Sequence, residues 1–241
     1  MAKLAGYRGE GLSDMPTLPY LIQGIRRIQG SRFRRPRRSP MTFTHLRQLV
    51  GWVRRSHGEH DSCMLVAATT LAFFGLLRVS EYTSPTTSRY DPEWHLLVSD
   101  VTVNAVRRLA YVRIKASKTD PFRESAIVRV GVSGSELCPV SALVRYLRVR
   151  RRGVGPLFVF RDGRFLTRRH MVSLIGSALG VGVNLNTHSF RIGGASALAN
   201  AGVPAYQIQL IGRWKSDAFL EYIRLSDSYV SETSARMSQG D

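Results

Sequence analysis

The stretch HSFRIGGASALANAGVPAYQIQLIGRWKSDAFLEYIR, residues 188–224, contains an ordered set of side chains suited to binding a phosphate group. His188 and Arg191 lie three positions apart, which places both on one face of a helix. Trp214 and Tyr222 follow on segments that short turns separate from that helix. Covalent cutting of a nucleic-acid strand requires a hydroxyl nucleophile, guanidinium groups and proton-transfer groups. The stretch therefore predicts part of a phosphate-handling site, assembled from several helical segments.

The composition is strongly basic. The chain has 241 residues, with 35 Lys+Arg against 17 Asp+Glu and a formal net charge of +18. A charge of this size attracts polyanions and makes their binding salt-dependent. It is typical of nucleic-acid-binding proteins. Ribosomal-type RNA packing and association with an anionic membrane are alternatives that charge alone leaves open.

The cysteines and the apolar segments indicate an ordinary globular chain. Cys63 and Cys138 lie in apolar surroundings without CxxC spacing, which predicts small core residues in a reducing compartment. The longest nearly apolar run, residues 63–77, is shorter than the roughly 20 residues that a membrane span needs. No signal-peptide segment is recognised at the N-terminus. We expect a soluble, intracellular protein without a membrane partner.

Hydrophobic periodicity predicts a mixed α+β fold that is mainly helical, with a small antiparallel three-stranded sheet inserted among the helices. Helices are predicted near residues 21–28, over 42–55, 61–82 and 139–151, and from 167 almost to the end, with breaks at 180–186, 202–204 and near 212. Strand signals fall at residues 96–98, 101–103, 109–114, 126–130 and 157–160. The segment 61–82 is the most hydrophobic and is expected to form the central buried helix.

Arg78 and Glu81 lie near the end of this hydrophobic segment. An unpaired buried charge is costly, so Arg78 needs a partner there. Glu81, one helical turn later, can form a structural ion pair with it. The same pair would hold the guanidinium in the bidentate geometry that suits a phosphate, and the two roles are compatible.

Lys118 lies in the sequence KASKTDP, residues 115–121, between the two strands of a predicted hairpin. A lysine at a hairpin tip is normally solvated. Against a scissile phosphate, its ammonium group would be able to protonate a leaving 5′-oxygen. His188 has no second ligand at metal-binding spacing, and the chain lacks a clustered carboxylate set for two-metal chemistry. We therefore expect no metal and no cofactor.

These residues, taken in order, resemble the tyrosine recombinases, also called the phage-integrase family. The matching positions are Arg78-x-x-Glu81, Lys118 in a Ser-Lys-Thr-Asp hairpin, His188-x-x-Arg191, Trp214 and Tyr222. The match covers roughly residues 40–235. The blocks THSFR, GRWKSD and YIR further resemble the eukaryotic branch carried by DIRS-like retrotransposons.

The resemblance implies the tyrosine-recombinase catalytic core and a DNA cleavage that needs neither metal nor ATP. Tyr222 would attack a DNA phosphate and form a 3′-phosphotyrosyl bond, leaving a free 5′-hydroxyl. Arg78 and Arg191 would bind the non-bridging oxygens as negative charge develops. Lys118 would be the general acid, and His188 would assist proton transfer.

Further positions have supporting roles under this resemblance. Glu81 would support Arg78. Trp214 stands where many relatives carry histidine; its indole N–H can donate a hydrogen bond but cannot shuttle a proton, so we expect a phosphate contact or a packing group. The DNA-binding residues predicted outside the catalytic set are Arg34, Arg35, Arg37, Arg38, Lys115 and Arg213. A solvated basic loop or a nuclear-import signal would explain the basic run at 32–38 equally well.

The resemblance also implies a domain organisation and partners. Residues 1–38 are expected to be a remnant of the N-terminal core-binding domain with a basic linker, and 39–241 the catalytic domain with a C-terminal tail. A chain with only this remnant should bind DNA more weakly, because many phosphate contacts would be missing. The expected partner is double-stranded DNA, bound by a homotetramer on paired recombination sites. In a eukaryotic host the expected location is the nucleus.

Several alternatives stay open. One is a DNA-binding protein derived from a mobile element that no longer recombines DNA. A second is a type IB topoisomerase-like enzyme, which shares the chemistry without exchanging strands. A third is a basic RNA-binding protein. Tyr229, seven residues after Tyr222 and on a similar helical face, is the alternative nucleophile.

Overall fold

The structure, a computed structural model, describes residues 17–29, 38–116, 124–150, 153–180 and 184–238. The chain divides into two units, Met1–Arg37 and Arg38–Asp241. The described part of the first unit contains helix α1 (Leu18–Gln29), which confirms the helix predicted near residues 21–28. The roles predicted for the segments 1–38 and 39–241 stay predictions.

The second unit confirms the mixed α+β class. Its helices are α2 (Phe43–Ser56), α3 (Glu59–Phe74), α4 (Val79–Tyr82), α5 (Pro139–Val149), α6 (Arg168–Leu179), α7 (Ser189–Asn200), α8 (Ala205–Gly212) and α9 (Asp227–Met237), with 3₁₀ turns at Val98–Asp100 and Asp217–Tyr222. An antiparallel sheet in the order β1-β2-β3 is formed by β1 (Val101–Asn104), β2 (Leu109–Ile114) and β3 (Ala126–Gly131). The small sheet lies in sequence between the fourth and fifth helices.

The sheet follows the strand predictions except at residues 96–98 and 157–160. The strand predicted at 157–160 was wrong, because only Val159 pairs there, in an isolated bridge with Phe165. β2 and β3 form the predicted hairpin, with Leu109 opposite Gly131. Residues 96–98 do not join the ladder: Leu97 forms an isolated bridge with Pro156, and a 3₁₀ turn begins at Val98. The turn forms because the Asp100 carboxylate accepts the Leu97 N–H at 2.8 Å. The prediction of a strand at 96–98 was wrong.

Helix α3 lies at the centre of the core, as predicted for the most hydrophobic segment. Every residue from 63 to 73 is buried. The hydroxyls of Thr69 and Thr70 donate to the carbonyls of Leu65 and Val66, at 2.8 and 2.7 Å. This back-bonding satisfies the two polar side chains within the helix, so they do not disturb the apolar packing. Cys63 and Cys138 are both free and buried, which confirms their prediction as core residues.

Helix α3 ends at Phe74, so the prediction of one helix reaching Tyr82 was wrong. Leu76 has a positive φ of 48°. Its N–H donates to the Phe73 carbonyl at 3.3 Å, and the Leu77 N–H donates to the Ala72 carbonyl at 3.0 Å. These two bonds are those of a Schellman ending, in which the left-handed residue is usually glycine. Leu76 occupies that position with its side chain buried.

Helix α7 packs closely against the end of α3. A Cβ atom at Gly194 would overlap the Phe73 carbonyl oxygen and the Leu76 side chain. A Cβ atom at Gly193 would overlap the backbone of Met41, whose N–H donates to the Ser189 carbonyl at 2.9 Å. The two glycines therefore permit the approach that places the first turn of α7 beside the α3 ending.

We predict that Gly194→Ala destabilises the fold by about 1–3 kcal/mol, because the added methyl group meets backbone that cannot rotate away. The matched control is Gly176→Ala in α6, where an added Cβ meets nothing within 4 Å. That change should be neutral or stabilising by up to about 1 kcal/mol, because alanine favours helix. Urea unfolding of both variants measures the difference. Equal stabilities would contradict the close approach.

Candidate active site

The structure brings most of the predicted site residues together at one place in the second unit. The rings of His188 and Tyr222 lie 5.0 Å apart, and those of Trp214 and Tyr222 lie 5.2 Å apart. The Arg191 guanidinium stacks on Trp214, with Cζ 4.0 Å from the ring centroid, and lies 5.9 Å from the Tyr222 ring. Arg78 is close enough to lower the pKa values of both His188 and Arg191. Residues separated by more than 140 positions thus form one cluster.

Arg191 joins the C-terminal ends of two helices. Its side chain is fully buried, and its Nη1 and Nη2 atoms donate to the carbonyls of Leu76 and Gly212. Leu76 is the left-handed residue that follows α3, and Gly212 is the last residue of α8. Carbonyls at the C-terminus of a helix carry partial negative charge, which favours a cation there. The two helix ends therefore stabilise the buried guanidinium.

The α8 ending repeats the geometry of the α3 ending. Arg213 has a positive φ of 58°. The Arg213 N–H donates to the Leu210 carbonyl and the Trp214 N–H to the Gln209 carbonyl, each at 3.1 Å. Gly212 is required because the Trp214 ring lies where its Cβ would be. The turn therefore places the indole over Arg191, and Trp214 is a packing group in this structure.

Glu81 connects two arginines at the same place. Its carboxylate accepts hydrogen bonds from Arg78 Nη1 and from the Arg78 backbone N–H, each at 2.9 Å. It also accepts from Arg213 Nη2 at 2.7 Å, while Arg213 Nη1 donates to the Gly75 carbonyl at 3.3 Å. The predicted pair of Arg78 and Glu81 is confirmed. The second partner, Arg213, was predicted only as a DNA contact.

The cluster has a surplus of positive charge. Among the described residues, the guanidinium groups of Arg78 and Arg213 share the Glu81 carboxylate, and that of Arg191 lies close enough to both arginines for their charges to lower its pKa. Burial, followed by the charges of Arg78 and Arg213, lowers the pKa of Arg191 to about 9. Burial also lowers the pKa of Arg213, although Glu81 opposes that change. A site with several guanidinium groups close together binds an anion favourably, because the anion reduces their mutual repulsion.

His188 occupies the N-cap position of α7. The Asn186 side chain fixes it, since Asn186 Oδ1 accepts the His188 N–H at 2.8 Å. Burial lowers the pKa of His188, and the nearby charges of Arg191, Arg38 and Arg78 lower it further. The imidazole is therefore neutral at neutral pH and can accept a proton.

Tyr222 ends the 3₁₀ turn Asp217–Tyr222 and is half-buried. Its main chain is held by α7: Ser196 Oγ donates to the Tyr222 carbonyl at 3.2 Å. The sequence interpretation missed Ser196 and its neighbour Asn200. The available signal was their spacing, since two polar residues four positions apart in an otherwise small and apolar helix share one face.

The other predicted residues have different surroundings. Arg38 is exposed at the start of the second unit and lies near His188, whose pKa it lowers. Lys115 is mostly buried; its Nζ pairs with Asp100 at 2.8 Å and donates to the Pro92 carbonyl at 2.7 Å. Arg34, Arg35, Arg37 and Lys118 lie outside the described residues. Tyr229 lies on α9, a helix with no buried residue.

Among the residues that the structure describes, no group of three or more histidine, cysteine, aspartate or glutamate side chains is arranged to hold a metal ion. Among the same residues, no helix combines the length and the apolar character needed to cross a membrane.

We predict that Glu81→Gln destabilises the protein by about 3–5 kcal/mol, because two neighbouring guanidinium groups lose their shared counter-charge. The control is Glu136→Gln, which removes an exposed ion pair with Arg47. That change should cost less than about 1 kcal/mol. Urea unfolding at neutral pH compares the two variants. A loss at Glu81 no larger than the loss at Glu136 would contradict the bridging role.

The fold is similar to that of solved tyrosine recombinases and integrases. The XerA recombinase matches with a TM-score of 0.58 at 20% identity, over 85% of this chain and 66% of its own. The Tn1549 transposon integrase in complex with transposon right end DNA matches with a TM-score of 0.56 at 15% identity, over 86% of this chain and 68% of its own. A lambda integrase dimer bound to a COC′ core site matches with a TM-score of 0.56 at 15% identity, over 79% and 49%.

No family model matches the sequence, and the comparison with curated proteins gives no match. The chain spans about two thirds of the XerA chain and about half of the lambda integrase chain. These structural matches, together with the helical unit and its three-stranded sheet, establish that the chain has the tyrosine-recombinase fold.

Proposed function

We propose that this chain is the catalytic part of a site-specific recombinase or integrase that cuts and rejoins double-stranded DNA. The observation that carries the proposal is the packing of Tyr222 against His188 and beside Arg191, within reach of the charged cluster of Arg78, Glu81 and Arg213. A hydroxyl, a neutral imidazole and surplus guanidinium charge in one place are the groups that transfer of a phosphodiester to a tyrosine requires.

The reaction is a transesterification at phosphorus. The Tyr222 hydroxyl forms a bond to the phosphorus, the bond to the 5′-oxygen breaks, and neutral His188 accepts the phenolic proton. The positive charge of Arg78 and Arg191 stabilises the negative charge on the non-bridging oxygens. Lys118 gives a proton to the leaving 5′-oxygen. Rejoining reverses these steps, and needs no ATP because the phosphodiester energy is kept in the tyrosyl ester.

The two arginines contribute in different ways. The side chain of Arg78 is partly exposed, so its guanidinium is the one a phosphate reaches directly. The two Nη atoms of Arg191 are bound to carbonyls, and its Nε has no hydrogen-bond partner among the residues that the structure describes. Arg191 therefore acts through its charge and its remaining N–H donors, among them the Nε–H.

The DNA contacts extend beyond this cluster. We assign phosphate contacts to Arg38, which is exposed near His188, and to Arg34, Arg35 and Arg37 of the basic run. Arg213 pairs with Glu81 and Lys115 pairs with Asp100, so we assign mainly structural roles to both. Segment 1–38 is proposed as the remnant of a core-binding domain, and 39–241 as the catalytic domain.

The biological setting follows from the sequence blocks that resemble DIRS-like elements. We propose a recombinase of a mobile element, acting in the nucleus of a eukaryotic host. A homotetramer on paired sites would perform the exchange. The solved neighbours include a lambda integrase dimer on a core site and XerH on a palindromic difH substrate.

We predict that the wild-type protein forms a denaturant-resistant adduct with a nicked suicide DNA substrate. Tyr222→Phe should abolish the adduct, because phenylalanine has no nucleophilic oxygen. Tyr229→Phe is the matched control and should retain it. An adduct that persists in Tyr222→Phe would contradict the assignment, and no wild-type adduct across varied sequences would overturn the enzymatic function.

Two further assays on the wild-type protein distinguish a recombinase from a topoisomerase-like enzyme. A recombinase joins strands from two marked duplexes, whereas a topoisomerase-like enzyme relaxes a single supercoiled plasmid without joining them. DNA binding without either activity indicates a non-recombining DNA-binding protein.

We predict that Lys118→Ala slows cleavage of ordinary DNA about 10²- to 10⁴-fold, the usual effect of removing a general acid. A substrate with sulfur in the 5′-bridging position should restore most of the rate, because a thiolate leaves without a proton. Arg78→Ala is the control and should stay slow with both substrates, since charge stabilisation is still missing. If Lys118→Ala lowered the cleavage rate by the same factor on both substrates, the general-acid role would be contradicted. Single-turnover cleavage by the wild type and both variants on the two substrates gives all six rates.

A further inference from the structure

Two polar side chains of α7 hold the chain that follows Tyr222. Ser196 Oγ donates to the Tyr222 carbonyl at 3.2 Å and accepts the Arg224 N–H at 2.9 Å. Asn200 Nδ2 donates to the Arg224 carbonyl at 3.2 Å, and Asn200 Oδ1 accepts the Ser226 N–H at 2.9 Å. Four hydrogen bonds thus connect one face of α7 to three backbone positions of the segment.

The bonded positions alternate along the segment. Residues 222, 224 and 226 each bond to α7, and Ile223 between the first two is extended, with φ −75° and ψ 132°. An extended chain presents alternate residues to one side. The backbone groups on that side need hydrogen-bond partners, which a neighbouring strand usually supplies and which Ser196 and Asn200 supply here. Ser196 is buried, and its hydroxyl both donates and accepts.

Apolar packing also holds the same segment. Phe219 is buried with Ala195, Ala199 and Ile208 in a small cluster, separate from the main core. Tyr222, Ile223 and Trp214 pack against this cluster. Removing the segment from its own chain would therefore expose apolar surface as well as break the four hydrogen bonds.

Helix α7 also carries Arg191 in its first turn and His188 at its N-cap. One helix therefore fixes the positions of the nucleophile, the buried cation and the proton acceptor. We infer that Ser196 and Asn200 are positioning residues that hold Tyr222 in the active site of its own chain. The inference rests on the proposed function and assigns the nucleophile and the cationic cluster of each cleaving unit to the same chain.

The first test compares single-turnover cleavage rates with DNA affinity. Asn200→Ala removes two of the hydrogen bonds and should lower the cleavage rate about ten- to a hundredfold, with DNA affinity unchanged. Asn200→Asp keeps the acceptor for the Ser226 N–H and should lose less. Asn104→Ala is the matched control, since Asn104 bonds only the Arg107 N–H among the contacts described and lies on the sheet. Equal rates in wild type and Asn200→Ala would overturn the positioning role.

The second test asks which chain supplies the tyrosine. Tyr222→Phe and Arg78→Ala are mixed on the suicide substrate, after each variant is shown to bind DNA and to unfold cooperatively. If each chain uses its own tyrosine, the mixture gives no adduct, because neither variant has a complete site. Adduct formation in the mixture would overturn the inference.

A third measurement does not need activity, and so separates this inference from the proposed function. The backbone N–H groups of Arg224 and Ser226 should exchange slowly with solvent in the wild type. Exchange at Ser226 should become faster in Asn200→Ala and much less so in Asn200→Asp. Unchanged exchange would overturn the inference even if wild type forms the adduct. Slow exchange without an adduct would contradict the proposed function while leaving the hydrogen bonds between α7 and the segment in place.

Discussion

The buried guanidinium of Arg191 connects the helical core to the candidate site. Burying a cation is unfavourable unless polar groups replace its hydration. Here the replacement comes from the carbonyls of Leu76 and Gly212, where α3 and α8 end, and from the face of Trp214. The positions of both helix endings are therefore coupled to one side chain. The glycine-rich first turns of α7 are needed for the same reason. They let α7 approach α3 closely enough for Arg191 to reach the carbonyl at the end of α3.

Repulsion between the arginines of the cluster lowers the stability of the fold, and the same charges favour binding of an anion. The folded pKa of Arg191 is lowered to about 9, so the unfolded chain binds this proton more tightly than the folded chain does. Below pH 9 the fold carries the full unfavourable contribution, and stability from this group increases only as pH rises above that value. Glu81 offsets part of the repulsion by pairing with Arg78 and Arg213. A bound phosphate would offset more of this repulsion. In a purely structural ion-pair network, by contrast, the protein's own side chains balance the charges.

The sequence predicted the elements well and the contacts between them less well. Hydrophobic periodicity identified α2, α3, α5 and the hairpin because those patterns repeat over many residues. The α3 ending was missed because its left-handed residue is Leu76, where a glycine would have given the signal. The Arg213 pairing with Glu81 and the Ser196 contact with Tyr222 depend on distant segments, and no local pattern encodes them. The motif residues were predictable because their order along the chain can be recognised without knowing the distances between their side chains in the fold.

The backbone around the first turn of α7 explains why arginines are needed at this site. A helix N-terminus binds phosphate through N–H groups that lack partners. Here the His188 N–H is bonded to the Asn186 side chain, the Ser189 N–H to the Asn186 carbonyl, and the Arg191 N–H to the His188 carbonyl. These three backbone donors are already occupied, so binding of a phosphate at this turn would depend mainly on side-chain charge. Under the proposed function, the cluster of Arg78, Arg191 and Arg213 supplies that charge. Glu81 limits the repulsion between the arginines when no DNA is bound.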